Sequence, residues 1–450
     1  MIKVVETFSG IGSQAQALKN IGVDYEILHT VEWDINAILA YDLIHHGKQN
    51  LEPYMNYTKK ELLERVQQYT ISMDGKKPAT TKNLHDLNED LMRRILCAID
   101  RSKNLVSITD VTASDLPSDI DMLTYSFPCQ DLSVAGNWHG NKGGIDRDAH
   151  NRSGMLWEIE RILKERVERN MKLPQFLLME NVSNILSNRH IKNFTSWTDY
   201  LESIGYYNKI YTLDASKFGI PQKRVRTYML SVHTNNNPIN KIKIDNYFKE
   251  HDLQDDDYIK SLHIKERKLK EFLRLDYRNK QYRLEADLCQ PNDTPSRQEI
   301  YQTNPQIVKG KTVVGKYVPT VTTKQDRHPN SGVIDYDNGK SEKSKFRYLT
   351  PRECFLLMGF SEDNYNSLVE NNFMYRQRKF FNIEKLNKMA GNSIVVSVLE
   401  EIFKQVNAIQ NIILCDNKKR TPNSGLSMDS IKSELAALFE AKKKAFQVIK

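Results

Sequence analysis

The segment from Ile2 to Glu32 constrains the fold most. It opens Ile2-Lys3-Val4-Val5-Glu6-Thr7-Phe8, a strand-like apolar run that breaks at Gly10 and Gly12 and continues with helical spacing from about Ser13 to Lys19. A second such run, Tyr25 to Val31, stops at the acidic Glu32, after which Ile35, Ile38, Leu39 and Leu43 recur at helical intervals. Strand, glycine turn, helix, strand and terminal acid is the nucleotide-binding arrangement of a doubly wound α/β sheet. A lone GxG is weak, but here its strand and helix context is satisfied. A dinucleotide is a less suitable ligand: Gly10-Ile11-Gly12 continues Ser13-Gln14-Ala15 with no third glycine, although alanine there is tolerated in some variants.

Two later runs end on residues that carry chemistry. Met122-Leu123-Thr124-Tyr125 leads into Phe127-Pro128-Cys129-Gln130, and Gln175-Phe176-Leu177-Leu178-Met179 leads into Glu180-Asn181-Val182. Open α/β sheets act at the carboxyl ends of their strands, so a thiol and a carboxyl are delivered to one edge. A single free cysteine is more often a small buried hydrophobe. As a pair the two groups suit attack on an electron-poor ring, the thiolate adding to carbon while the acid protonates the nitrogen that collects charge.

The order of motifs resembles the cytosine-5 DNA methyltransferases. Phe8-Ser9-Gly10-Ile11-Gly12-Ser13 is followed by Phe127-Pro128-Cys129-Gln130, Glu180-Asn181-Val182, Gln222-Lys223-Arg224-Val225-Arg226, Leu349 to Phe360 and Ala390-Gly391-Asn392-Ser393. The resemblance implies an α/β fold, a Rossmann-like mixed seven-stranded sheet beside a smaller, irregular target-recognition domain. It implies S-adenosyl-L-methionine as cofactor, double-stranded DNA as partner, and a flipped-out cytosine as the methylated base. Cys129 would attack C6, Glu180 would protonate N3 and accept from the exocyclic amine, and Arg226 would hold O2 and favour the thiolate. Arg224 would support the fold or bind Glu180. For the cofactor it implies Phe8, Ser9, Gly10, Ile11, Gly12, Glu32, Trp33, Asp110, Val111, Pro128, Leu156, Asn392, Ser393 and Ile394, with Glu32 on the ribose, Asp110 on the adenine amino group and no metal. An RNA cytosine substrate and a catalytically silent DNA-binding homologue are the alternatives. The tRNA-modifying branch carries a Cys-Phe-Thr that this chain lacks, and intact Cys129, Glu180 and Arg226 argue against silence.

At 450 residues two lobes are expected. The resemblance divides them as catalytic residues 1–232, target recognition 233–345, a catalytic return 346–415, and a linker with a helix over 416–450. Residues 45–105 read as an insertion forming a surface helical pair, and 130–152 as a glycine-bearing lid in which Ser133-Val134-Ala135 replaces the family's Ser-x-Ser. Net charge +8 fits a polyanionic partner. Five cysteines without paired spacing suggest neither disulfides nor zinc, and hence a reducing compartment. No run approaches the ~20 apolar residues of a membrane span. A cytoplasmic monomer, with any restriction endonuclease acting separately, is the expectation.

Overall fold

The computed structural model describes residues 1–129, 132, 144–147 and 152–418. The chain builds a six-stranded sheet from β1 (Ile2–Thr7), β2 (Tyr25–Val31), β3 (Met122–Tyr125), β4 (Phe176–Val182), β5 (Tyr206–Asp214) and β6 (Val225–His233), in the order β2-β1-β3-β4-β6-β5. The first four are parallel; β6 runs antiparallel to both β4 and β5.

The parallel strands are apolar on both faces, so successive residues enter different cores. Val4, Met122, Phe176 and Leu178 join one cluster, while Val5, Leu123, Leu177 and Met179 join the other. This alternation is the pleat of a sheet covered on both sides. The chain reverses strand order between β1 and β3, which opens a crevice at their carboxyl ends.

Seven strands were expected; the described residues contain six in this sheet. Beyond β2 the would-be edge strand shrinks to a single bridge between Thr30 and Asn104. Lys103 and Val106 have φ of 46° and 65°, which ends extended pairing on either side of that bridge.

The 45–105 segment is not a surface helical pair. Its helix Glu89–Arg101 buries Leu91, Met92, Ile95, Leu96, Cys97, Ala98 and Ile99 and packs on the helices Ile35–His46 and Lys59–Val66. The one-sided spacing at 91, 92, 95, 96 and 99 is that of a core-facing helix. The helix Pro238–Glu250 likewise joins the main core through Ile244 and Phe248.

A second, four-stranded sheet follows: β7 (Gln306–Lys309), β8 (Thr312–Val313), β9 (Val333–Asp335) and β10 (Phe346–Arg347), in the order β10-β9-β7-β8. Ile300, Val333, Phe346 and Tyr348 form a small core of their own. The sheet joins the main core through Ile307, Val308 and Ile334, and buried ion pairs lie beside this join. Arg347 and Glu353 are fully buried and paired at 2.8 Å, and Arg352 pairs with Glu285 at 2.8 Å. The helix Val396–Lys418 runs past Asp416, where a linker was expected, and packs on the helix Ser13–Ile21. The lid residues 130–131, 133–143 and 148–151, and the expected helix Met428 to Ile449, lie outside the described residues. Among the described residues no helix is long and apolar enough to cross a membrane.

Candidate active site

The crevice at the strand ends holds a cavity of about 420 Å³. Its walls come from four strand ends and from the late Ala390-Gly391-Asn392-Ser393 block. The glycine turn after β1 supplies Phe8, Ser9, Gly10 and Ile11. Gly10 and Gly12 sit at φ of 56° and 79°, the left-handed region that glycine enters without a Cβ penalty. A Cβ on Gly12 would lie 2.1 Å from His45 Nε2, so only glycine lets the helix Ser13–Ile21 start this close to its neighbour.

After β2, Glu32 accepts hydrogen bonds from Gly10 N (3.0 Å) and Asp34 N (2.8 Å). Burial, with Asp34 nearby, pushes its carboxyl up to about 7. Trp33, Asn392, Ser393 and Ile394 complete this side. Among the described residues the buried Ser9 hydroxyl, on the wall, has no hydrogen-bond partner.

At the other end lie Pro128, Cys129, Glu180, Arg224 and Arg226. The antiparallel β4–β6 register pairs Glu180 with Tyr228 and Val182 with Arg226. Pleat alternation therefore sends Glu180, Arg224 and Arg226 to one face. Arg226 Nε lies 3.5 Å from Glu180 Oε1, with both side chains mostly buried. Burial raises the Glu180 carboxyl above its usual range, against the opposing pull of Arg226 and Arg224. Its proton is thus held more firmly than on an exposed glutamate. The turn bearing Cys129 is anchored by Asn181 Nδ2, which donates to Phe127 O at 3.0 Å, and by Ser153 Oγ, which donates to Pro128 O at 2.8 Å.

Arg224 makes no hydrogen bond to Glu180. It donates to three carbonyls, Val321 O (2.9 Å), Gly391 O (3.1 Å) and Ser393 O (2.9 Å), and so fastens the Thr-rich stretch and the C-terminal block to β6. A Cβ on Gly391 would meet Thr323 N at 2.4 Å, which is why the two segments can lie in contact.

Four expected cofactor residues lie off the wall. Asp110 is exposed, because a turn closed by Asp110 N to Ser107 O (3.0 Å) carries it outward; Ser107, Ile108 and Thr109 face the cavity instead. Val111 and Leu156 are core residues, and Met155 takes the wall position beside Leu156. Gly12 contributes only backbone shape. Conversely, Asp34, Gly75, Pro78 and Lys388 line the cavity and were not anticipated. Asp34 simply continues the strand end after Glu32 and Trp33, whereas Gly75 and Pro78 reach the wall through the packing of the inserted segment.

Burial also raises the half-buried Cys129 thiol, with Arg226 pulling it down, Glu180 pushing it up and Arg224 pulling it down. In the DNA-free protein, alkylation of Cys129 by iodoacetamide is therefore expected to accelerate with pH beyond the ordinary thiol midpoint of about 8.5. Arg226→Met should move the midpoint higher still. Peptide mass spectrometry of Cys129 against pH measures this, and a midpoint below the ordinary value contradicts the electrostatic assignment.

Known proteins share both sequence and fold. A family model described as C-5 cytosine-specific DNA methylase matches residues 86–408. The orphan methyltransferase M.SssI of Spiroplasma monobiae is 32% identical over 90% of this chain and 97% of its own length. The type II methyltransferase M2.ScrFI of Lactococcus lactis subsp. cremoris is 30% identical, over 90% of this chain and 99% of its own. Among solved structures, the Dnmt2 methyltransferase of S. pombe aligns with a TM-score of 0.55 at 17% identity, covering 91% of this chain and all of that one, which speaks to the fold. Motif order, strand-end geometry and these matches agree: the chain belongs to the C-5 cytosine-specific DNA methylases.

Proposed function

We propose that this enzyme methylates C5 of a cytosine flipped out of duplex DNA, through a covalent bond from Cys129 to C6. The observation that carries the reading is the convergence of Cys129, Glu180 and Arg226 on one end of a cavity whose other end is rimmed by Glu32, Trp33 and the glycine turn. S-adenosylmethionine fits this cavity. The unpartnered Ser9 hydroxyl and the half-buried Glu32 carboxyl offer polar partners, and the Gly10 turn admits close backbone approach. When bound, this cofactor supplies an electrophilic methyl group on a positively charged sulfur.

The protein's own groups do the rest. The Cys129 thiolate adds to C6 while the Glu180 carboxylic acid gives its proton to N3, so the electrons of the C5–C6 double bond become available at C5. Arg226 holds O2 and stabilises the thiolate. C5 takes the methyl group from the sulfonium, which is left as a neutral thioether; a base then removes the C5 proton, the C6–S bond breaks to return the Cys129 thiolate, and N3 gives its proton back to Glu180. A stacked cytosine cannot reach Cys129, so flipping is required, at a few kcal/mol. Residues 233–345, with the four-stranded sheet, are proposed to read the base sequence in the major groove. The type II name of the Lactococcus relative favours a restriction-modification role, with the endonuclease acting separately.

The test supplies labelled cofactor with duplex DNA or with tRNA. Label is expected in DNA alone, and bisulfite sequencing should locate it at cytosine. Label in tRNA without DNA would transfer the chemistry to RNA and sink the substrate assignment.

A further inference from the structure

The 45–105 segment reaches the cavity. Residues 71–79 leave the core at the fully packed Ile71 and fold into a tight loop. Ala79 N donates to Ile71 O (2.8 Å), Ser72 Oγ donates to Lys77 O (2.6 Å), and Gly75 N donates to Ser72 Oγ (2.9 Å). The loop is then sewn to the chain just after Glu32. Ser72 N donates to Trp33 O (2.7 Å), Ile35 N donates to Ser72 O (3.0 Å), and Asn36 Nδ2 donates to Met73 O (3.3 Å).

A third segment locks the first two. Lys388, on the helix Ile383–Asn392 that carries the Gly391-Asn392 block, donates from Nζ to Asp34 Oδ2 (2.7 Å) and to Asp74 O (2.5 Å). One ammonium thus ties the residue two beyond Glu32, the inserted loop and the C-terminal block. Gly75 shows how tight the join is: at φ 68°, a Cβ there would sit 2.7 Å from Asp34 Oδ2 and 3.2 Å from Lys388 Nζ. Gly75, Pro78, Asp34 and Lys388 all face the cavity.

We propose that residues 71–79 form the wall against which the adenosine end of the cofactor is held, and that Lys388 is the positioning residue that latches this wall to Asp34. The inference rests on the cofactor reading above. The loop excludes water beside Glu32 and Trp33, and the Lys388–Asp34 pair fixes the strand end from which Glu32 projects. Lys388 acts through Asp34 and the loop; the chemistry at Cys129 is left to other residues.

The experiment uses the full chain and S-adenosylhomocysteine. In the wild type, amides of 72–79 should gain protection from hydrogen exchange when this ligand binds. By titration calorimetry, Lys388→Met and Gly75→Ala should each weaken its binding by about tenfold, the scale of a lost charge-assisted hydrogen bond. Lys388→Arg should recover most of that loss, while DNA affinity and kcat at saturating cofactor stay near wild type. Wild-type binding of S-adenosylhomocysteine with no change in exchange at 72–79, or with undiminished affinity in both variants, overturns the latch alone. Failure of the wild type to bind it at all overturns the cofactor reading, and the latch with it. Should Lys388→Met fold poorly, the wild-type exchange result and Gly75→Ala still decide.

Discussion

Cys129→Ala is expected to abolish methylation, with a loss on the order of a millionfold, as removal of an enzyme's nucleophile produces. C5 of cytosine is a weak nucleophile, and without sulfur added at C6 there is no electron density at C5 to take a methyl group. The substitution removes one atom from a side chain that stands at a cavity wall, so the melting temperature should shift little. Duplex DNA bearing 5-fluorocytosine provides a second readout. Wild type should become trapped on it, because the final elimination needs a proton at C5 that fluorine replaces; Cys129→Ala should not. Activity of the variant within tenfold of wild type would remove Cys129 from the chemistry while leaving the family membership intact.

Arg347→Met should produce the largest loss of stability, about 3–5 kcal/mol, the usual cost of stripping one partner from a buried ion pair. Arg347 is fully buried and donates Nη1 to Glu353 Oε2 and Nη2 to Glu353 Oε1, both at 2.8 Å, with further bonds to Tyr277 and Tyr348. Glu353 also caps the helix Pro351–Leu357 by accepting from Thr350 N and receives Arg274 N, both at 2.8 Å. Burial would push the Glu353 carboxyl up, but the charge and hydrogen bonds of Arg347 outweigh it and hold the carboxyl below its ordinary range. Such a depressed group contributes stability above the unfolded-state value and loses it as pH falls through the folded value. The penalty of Arg347→Met should therefore be greatest near neutral pH and shrink in acid, where Glu353 is protonated in both proteins. Urea unfolding at several pH values measures this. A cost below about 1 kcal/mol at pH 7 would show that the pair is dispensable.

Strands were legible where an apolar run met an unmistakable terminator: β1 before its glycines, β2 before Glu32, β3 before Phe127-Pro128-Cys129. The reading failed where backbone conformation overrode composition. The expected seventh strand is missing beside β2, where left-handed conformations at Lys103 and Val106 leave only the bridge from Asn104 to Thr30. The resemblance points to Asp110 as the acid beside the adenine, whereas a turn carries it outward and leaves Ser107, Ile108 and Thr109 facing the cavity. The inserted helix was legible in principle: apolar residues at 91, 92, 95, 96 and 99 announce a buried face, and surface placement gave that spacing too little weight. The three carbonyls that hold Arg224 were beyond any local pattern, because they come from residues 321, 391 and 393.

That last contact has a temporal meaning. Cys129, Glu180 and Arg226 all precede Lys388, Gly391 and Ser393 in the chain and so are synthesised before them. Ile394 N must still travel back to Ser13 Oγ, at 3.3 Å, to shut the floor beneath the glycine turn. A ribosome-bound chain that has emerged only through β6 carries its reactive groups over an unfinished pocket. A chain that ends after β6 therefore lacks Lys388, Gly391, Asn392, Ser393 and Ile394, which line the same cavity as Cys129.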